Sequence, residues 1–426
     1  MKIISSKNKL ELIEEVLNRS QFDLENVNKS VKNIIDKVDE LGDEALIEFT
    51  HKFDGVLLDK LEVTKEEIEE AYNTIDRELL GSLIKCHENI KDFHQRQKNN
   101  SFMNNEKDGV IVGQIIRPIE KVGIYVPGGT APLPSTVLMN AIPAKVAGVS
   151  EIIMTTPPNK EGKINKTILV AAKIAGVDRI FKVGGAQAIA GLAKGTESIP
   201  KVYKIVGPGN IYVAMAKKMV FGEVDIDMIA GPSEVLVIAD KYANPKFIAA
   251  DLLSQAEHDT LACSILVTDS MDLAERVKVE VERQVELLSR KDIAKESLAS
   301  YGRIVVTETI EEAIDISNQV APEHLELALQ EPFAYVNQIK NAGAIFMGEY
   351  SPEPLGDYYA GPNHTLPTSG TAKFASPLSL DDFVKKSSLI YYTKEALSKA
   401  KDDIVRVAES EGLDAHANSI KVRFED

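Results

Sequence analysis

The segment RIFKVGGAQAIAGLAKG (residues 179–195) contains the pattern that predicts the fold. A short apolar run ends in two glycines, and an alanine-rich stretch of helical character follows directly. The same order of strand, glycine turn and helix recurs in VYKIVGPGNIYVAMAKKMV (residues 202–220), and the apolar runs at 122–129 and 151–158 also end in Gly or Pro. This alternation of short strands and helices is typical of a parallel sheet.

A second alternating series follows residue 233. NPKFIAADLLSQAEHD (residues 244–259) has a helical pattern and ACSILVTDS (residues 262–270) that of a buried strand, and further strands and helices continue to about residue 350. The first hundred residues are helical in pattern, residues 109–130 resemble a hairpin, and the last fifty predict a strand and two helices. We therefore expect an α/β protein with two Rossmann-like parallel-sheet units, one inserted in the other.

The predicted organisation has four parts. They are a helical segment at 1–22, an α/β domain formed by 23–121 plus 234–376, an inserted α/β domain at 122–233, and a C-terminal segment at 377–426.

Composition excludes several classes of function. The chain has 426 residues, 27% of them charged, and a net charge of −16, which disfavours nucleic acid or an anionic membrane as main partner. No apolar run is long enough for a membrane span. Because there are only two cysteines and no export signal is recognisable, we expect a cytoplasmic protein without a disulfide framework.

Polar residues in DLLSQAEHDT (residues 251–260) form the first candidate site. Gln255 and His258 are three residues apart, which on a helix places them on one face. Both can bind zinc, and Asp357 and His416 are candidate partners elsewhere in the chain. The alternative is a polar helix end without a ligand, and spacing alone does not show that the four residues converge.

A second candidate is QVAPEHLELAL (residues 319–329). Pro322 suits the first turn of a helix, which would place Glu323 and His324 at its positive end and keep His324 neutral. Both residues could then accept protons; a capping carboxylate beside a surface histidine is the alternative.

The glycine turns could take a pyrophosphate on their backbone N–H groups. Neither turn is G-x-G-x-x-G, and ordinary βα turns also need glycine. Ser233 and Glu234 lie in a predicted tight turn, IAGPSEVLV (residues 229–237), and Cys263 is interpreted as a buried structural cysteine at the start of a strand.

Together these stretches resemble the histidinol dehydrogenase family over about residues 30–420. The resemblance rests on IDMIAGPSEVLVIADKYANPKFIAADLLSQAEHD (226–259), APEHLEL (321–327), GDYYAGPNHTLPTSGTAKFASPLSLDDF (356–383) and EGLDAHANS (411–419), with weaker support from YVPGGTAPLPSTVLMNAIPAKVAG (125–148), VGGAQAIAGLAKGT (183–196) and VGPGN (206–210).

The resemblance implies a zinc- and NAD-dependent oxidation of L-histidinol to L-histidine through L-histidinaldehyde, the last two steps of histidine biosynthesis. It implies one zinc ion per subunit and an intertwined homodimer in which Glu411 and His416 serve the partner's site. The implied zinc ligands are Gln255, His258, Asp357 and His416. The implied proton acceptors are Glu323 and His324. The implied substrate contacts are Ser233, Gln255, His258, His324, Asp357, Glu411 and His416, with His364 as a further candidate. The implied NAD contacts are Tyr125, Gln187 and Asn210. The resemblance thus implies that the domain at 122–233 binds NAD and that the domain formed by 23–121 plus 234–376 carries the zinc and the catalytic residues.

Three other functions compete with this interpretation. A zinc hydrolase could use the same ligands with Glu323 as base, but it leaves the glycine turns unexplained. A non-catalytic protein with structural zinc would favour cysteine ligands. A generic zinc alcohol dehydrogenase lacks support because its Cys/His ligand pattern and G-x-G-x-x-G are absent.

Overall fold

The computed structural model describes residues 1–8, 24–128, 132–229 and 231–425. Contacts divide the chain into two compact units, one formed by Met1–Gln97 with Ile119–Phe383 and one by Lys98–Pro118 with Val384–Asp426. The expected α/β class with parallel sheets is confirmed. No helix within the described residues has both the length and the apolar character needed to cross a membrane.

The first unit contains a parallel six-stranded sheet of order β1-β11-β10-β9-β12-β13. Its strands are β1 (Lys2–Ser5), β9 (Glu234–Ala239), β10 (Cys263–Thr268), β11 (Arg303–Val306), β12 (His324–Ala328) and β13 (Ala344–Met347). Helices α9 (Pro245–Ala256), α10 (Met271–Gln284), α11 (Lys291–Tyr301) and α12 (Ile310–Val320) connect and cover them. Alternate residues of β9 enter different cores, Val235 and Val237 on one face and Leu236 and Ile238 on the other.

The first unit also contains a parallel five-stranded sheet of order β6-β5-β4-β7-β8. Its strands are β4 (Lys121–Tyr125), β5 (Glu151–Thr155), β6 (Arg179–Phe181), β7 (Lys204–Val206) and β8 (Asp225–Ile226). The connecting helices are α5 (Pro134–Ala147), α6 (Lys166–Ala175), α7 (Gly185–Lys194) and α8 (Ile211–Val220). The βα alternation predicted for residues 122–220 is therefore confirmed.

The N-terminal helices pack on the five-stranded sheet. These helices are α1 (Leu24–Leu41), α2 (Asp43–Asp54), α3 (Lys65–Thr74) and α4 (Arg77–Gln95). Leu83 and Ile90 of α4 share a core with Val122 and Ile124 of β4, whereas Leu46 of α2 enters the core on the other face. These helices, which the sequence analysis groups with residues 234–376, bury apolar side chains against the inserted sheet.

The second unit consists of an antiparallel sheet and two helices. Strand β3 (Val110–Pro118) lies between β14 (Val384–Tyr392) and β2 (Phe102–Asn104), and α14 (Lys394–Ser410) and α15 (Asp414–Lys421) follow. The predicted strand and two helices at the C-terminus are confirmed. The predicted hairpin at 109–130 is wrong, because β3 pairs with β14 while the next strand, β4, joins a different sheet.

Two other local predictions need correction. Residues 2–5 form β1, paired with β11, so the predicted helical segment at 1–22 does not begin as a helix; residues 9–22 lie outside the described ranges. Within the stretch 351–377, which was expected to be irregular, α13 (Glu353–Tyr358) forms one short helix.

Candidate active site

Glu323 and His324 lie at the amino end of β12, which pairs with β9 and with the edge strand β13 of the six-stranded sheet. The predicted helix there is wrong: α12 ends at Val320, Ala321 takes a left-handed conformation (φ 53°), and a strand begins at His324. Sheet pairing prevails over the N-terminal signal of Pro322, because Leu325 and Leu327 bury one face of the strand while His324 and Glu326 lie on the other.

The geometry of His324 identifies which ring nitrogen can act as a base. Its Nδ1 lies 3.1 Å from the backbone carbonyl oxygen of Glu234. A carbonyl only accepts, so Nδ1 carries the hydrogen and Nε2 of the neutral ring is free to take a proton. Nε2 is buried without a hydrogen-bond partner in the described residues and lies 3.9 Å from Oδ1 of Asp357. Burial lowers the pKa of His324, which favours the neutral form. The predicted neutrality therefore stands, but its cause is burial and not a helix dipole.

The Glu323 carboxylate is buried beside His324. One oxygen accepts the backbone N–H of Glu234 at 3.0 Å and lies 3.8 Å from Nδ1 of His324. Burial, followed by the charge of Glu234, raises the pKa of Glu323 well above its ordinary value. A carboxyl group of raised pKa is suited to exchange protons near neutral pH.

A possible metal site lies next to His324. One ligand atom each of His258, Glu353 and Asp357 lies within 4.8 Å of the others. Glu353 and Asp357 are four residues apart on α13, so both carboxylates project from one face of that helix. His258 follows the end of α9, and its N–H donates to the carbonyl oxygen of Gln255 at 3.2 Å. The prediction that Gln255 and His258 share a helix face is therefore wrong. Gln255 lies in the last turn of α9, and His258 lies in the turn that follows the helix.

The residues around this group fit a divalent cation. Gln255 is buried, and its Oε1 has no hydrogen-bond partner among the described residues, as expected of an oxygen reserved for a ligand. Burial and then the charge of Glu353 raise the pKa of Asp357, a repulsion that a cation would relieve. An imidazole with carboxylate and carboxamide oxygens is a donor set that zinc accepts.

Neighbouring side chains fix this cluster. The Ser254 hydroxyl donates to Glu353 at 2.9 Å, and the Glu353 N–H donates to Glu326 at 2.7 Å. His364 lies with Nδ1 3.8 Å from Asp357, and burial lowers its pKa to about 4. Glu353 was missed by sequence reasoning, although its spacing of four from Asp357 was a usable signal.

The three predicted NAD contacts lie at the carboxyl edge of the five-stranded sheet. Tyr125 ends β4, Gln187 lies in the first turn of α7, and Asn210 caps α8 by accepting the N–H groups of Tyr212 and Val213. The Gly185 N–H donates to the Tyr125 hydroxyl at 3.2 Å. Strand order reverses between β4 and β7, and such a switch point is where open α/β sheets bind ligands.

The other predicted substrate and zinc contacts lie just before β9 and in the second unit. Ser233 immediately precedes β9, and its carbonyl oxygen accepts the N–H of Cys263, which is buried as expected. Glu411 and His416 belong to the second unit, at the end of α14 and on α15, and both are exposed. Their part in the site stays a prediction.

Fold and site together define an α/β enzyme with a possible metal site beside a buried base. The histidinol dehydrogenase family model matches residues 17–424. A histidinol dehydrogenase of Clostridium acetobutylicum is 63% identical over 396 residues, covering 93% of this chain and 92% of that protein. The crystal structure of histidinol dehydrogenase from Elizabethkingia anophelis aligns with a TM-score of 0.93 at 42% identity, covering 99% and 97% of the two chains.

A more distant structure shares the fold. An acetylating aldehyde dehydrogenase from Geobacillus thermoglucosidasius aligns with a TM-score of 0.50 at 14% identity, covering 91% of this chain and 96% of that one. The chain belongs to the histidinol dehydrogenase family and is an oxidoreductase.

Proposed function

We propose that this protein oxidises L-histidinol to L-histidinaldehyde and then to L-histidine, in the last two steps of histidine biosynthesis, with NAD and one zinc ion per subunit. The observation that carries the proposal is the cluster of His258, Glu353 and Asp357 beside Nε2 of His324, which accepts no hydrogen bond from any residue that the structure describes. A nitrogen-rich amino alcohol suits such a site, because zinc binds imidazole and amine well.

Gln255, His258, Asp357 and His416 are the proposed zinc ligands. Bound there, zinc would hold and orient the substrate's nitrogen atoms and polarise its oxygen. Glu353 is a further candidate to contact either the same cation or the substrate ammonium. Ser233, His364 and Glu411 are proposed to contact the substrate.

His324 is proposed to take the hydroxyl proton in the alcohol step, using Nε2. NAD supplies the hydride acceptor in both oxidations and is proposed to contact Tyr125, Gln187 and Asn210. Glu323 is proposed to take a proton from the water that adds to the aldehyde, and His324 then accepts the proton of the resulting hydrate as the carboxylate forms. Each oxidation removes two electrons, so one histidinol would yield two NADH.

We further propose a homodimer in which Glu411 and His416 of one subunit complete the site of the other. We also propose that residues 122–233 bind NAD and that the domain formed by 23–121 plus 234–376 carries the zinc and the catalytic residues. A cytoplasmic location is supported by Cys86 and Cys263, which do not form a disulfide with each other.

The test is the amount of NADH formed per histidinol consumed by purified protein before chelation, after chelation and after zinc is restored. Two NADH, lost on chelation and restored by zinc, is the expected result. One NADH would contradict the role of Glu323 in the aldehyde step. No NADH from a folded, zinc-loaded protein would refute the proposed reaction.

A further inference from the structure

A buried ion pair holds both backbone groups of Gly207, the first residue of the glycine turn after β7. The Lys217 ammonium donates to the Gly207 carbonyl oxygen at 2.9 Å, and the Gly207 N–H donates to the Asp227 carboxylate at 2.8 Å. Lys217 and Asp227 also pair with each other, and their side chains are only 2% and 1% exposed. The second carboxylate oxygen of Asp227 accepts the N–H of Met228 at 2.6 Å.

Gly207 occupies a position that only glycine can take. Its φ of 118° lies in the region that other residues avoid, and an added Cβ would collide with the backbone carbonyl of Tyr125. The turn therefore packs directly on the end of β4. A shift of Gly207 would change the positions of Tyr125 and of Asn210, three residues further along the turn.

The two charged residues connect this turn to separate elements. Lys217 lies seven residues after Asn210, two helical turns along α8 from its N-cap, and Asp227 directly follows β8. Burying two charges is costly, and a well-packed apolar pair of similar volume is often as stable. Stability alone is thus a weak reason for an ion pair here. Holding both the N–H and the C=O of Gly207, by contrast, needs one acceptor and one donor.

We propose that Lys217 and Asp227 are positioning residues that hold the turn Gly207–Asn210 in the geometry that binds NAD. The inference rests on the proposed NAD role of Tyr125 and Asn210. Neither Lys217 nor Asp227 touches the cofactor in this proposal; they act through Gly207.

The test uses the double variant Lys217→Met with Asp227→Asn in the full-length, zinc-loaded protein. Removing both charges leaves no unpaired buried charge, and the asparagine oxygen can still accept the Gly207 N–H. The matched control is Lys204→Met with Asp225→Asn. Lys204 at the start of β7 is 5% exposed and pairs with the half-exposed Asp225 of β8 and with Asp382. This pair lies at the opposite end of β7 from the turn.

Three quantities are measured for both variants. They are the NADH dissociation constant by fluorescence titration, the steady-state constants for NAD and histidinol, and deuterium uptake by peptides covering the turn. In the double variant the NADH dissociation constant and the KM for NAD should rise at least about tenfold, since misplaced binding groups lose much of their effect. The KM for histidinol, kcat at saturating NAD and zinc content should stay within about twofold, and uptake in the turn should be faster.

The control pair should leave both NAD constants unchanged. Wild-type NADH affinity in a folded double variant would overturn this inference alone, as would equal rises in the KM values for NAD and histidinol. If the double variant does not fold, Asp227→Asn alone decides, by the same comparison of NAD against histidinol. Absence of NADH binding by the wild-type protein would instead refute the proposed NAD role, and this inference with it.

Discussion

Replacing Glu323 with glutamine should separate the two oxidation steps. In the wild-type protein the Glu323 carboxylate accepts the Glu234 N–H at 3.0 Å within a fully buried environment. A glutamine oxygen can accept the same hydrogen bond in nearly the same volume, so the strand and the neighbouring His324 should keep their positions. The variant loses only the capacity of this side chain to take a proton.

The expected loss is confined to the aldehyde step. Removing a general base typically lowers a rate by about 10²–10⁴-fold, which corresponds to roughly 2.7–5.4 kcal/mol of activation free energy. The alcohol step should change by less than about tenfold, because Nε2 of His324 remains available for the hydroxyl proton. Histidinol should then give about one NADH quickly and the second very slowly.

The raised pKa of Glu323 adds a pH signature. The wild-type aldehyde step should accelerate as pH rises through this pKa, and Glu323→Gln should lack that dependence. The pKa of Glu323 is higher in the folded protein than in the unfolded chain. The contribution of the protonated Glu323 to stability is therefore complete below about pH 4.5 and is lost as pH rises through the folded pKa. The variant should escape this loss and unfold at a higher temperature than the wild type at alkaline pH.

The assay supplies histidinol and histidinaldehyde separately and follows NADH by stopped flow, with thermal unfolding at several pH values. Glu326→Gln is the matched control, because Glu326 is a buried carboxylate on the same strand that also accepts one backbone N–H. That variant should affect both steps to a similar degree. Equal losses of the alcohol and aldehyde steps in Glu323→Gln would refute the assignment of Glu323 as the water-activating base.

Two further predictions concern the metal and the dimer. Asp357→Asn should lower zinc affinity at least about a hundredfold, measured as the zinc retained against increasing chelator concentrations. Glu257→Gln, one residue before His258, should retain wild-type affinity. Equal zinc retention by both variants would exclude Asp357 as a ligand. His416→Asn should lose zinc and activity while the fold stays intact, as judged by circular dichroism. Coexpressed with Glu323→Gln, it should recover about a quarter of wild-type second-step activity, because half of the dimers are mixed and each has one intact site. No recovery from isolated mixed dimers would contradict a shared site.

Much of the fold follows from local patterns in the sequence. In the five-stranded sheet, β4, β5, β6 and β7 each end near Gly or Pro and lead to an apolar helix, so element type and order are encoded within about ten residues. The partner of a strand is not local information. Residues 109–130 contain two good strands, but β3 pairs with β14, nearly 270 positions later, which no local pattern indicates.

The helix predicted at Pro322 was wrong for an identifiable reason. HLEL (residues 324–327) alternates polar and apolar residues, which is the period of a strand, and this alternation prevails over the helix-start signal of Pro322. The error left the two candidate bases in place but misassigned the cause of the low pKa of His324. Glu353 was missed because Pro and Gly within EPLGDY hid a six-residue helix.

The two sheets present opposite edges to the proposed chemistry. The NAD candidates lie at the carboxyl ends of β4 and β7, whereas His324 and Glu323 lie at the amino end of β12. Residues 227–233 join the carboxyl end of β8 to the amino end of β9 and can span at most about 25 Å. This short link limits how far apart the two edges can lie, and hydride transfer between them requires that they approach each other.

Charge couples the proposed metal to the proposed base. After burial and Glu234, the charges of Asp357 and Glu353 are the next causes that raise the pKa of Glu323. Ligation of these two carboxylates by a divalent cation would cancel both contributions, so Glu323 should lose its proton more readily in the zinc-loaded protein. The metal site would therefore favour the aldehyde step in two ways, by orienting the substrate and by making Glu323 a base at neutral pH.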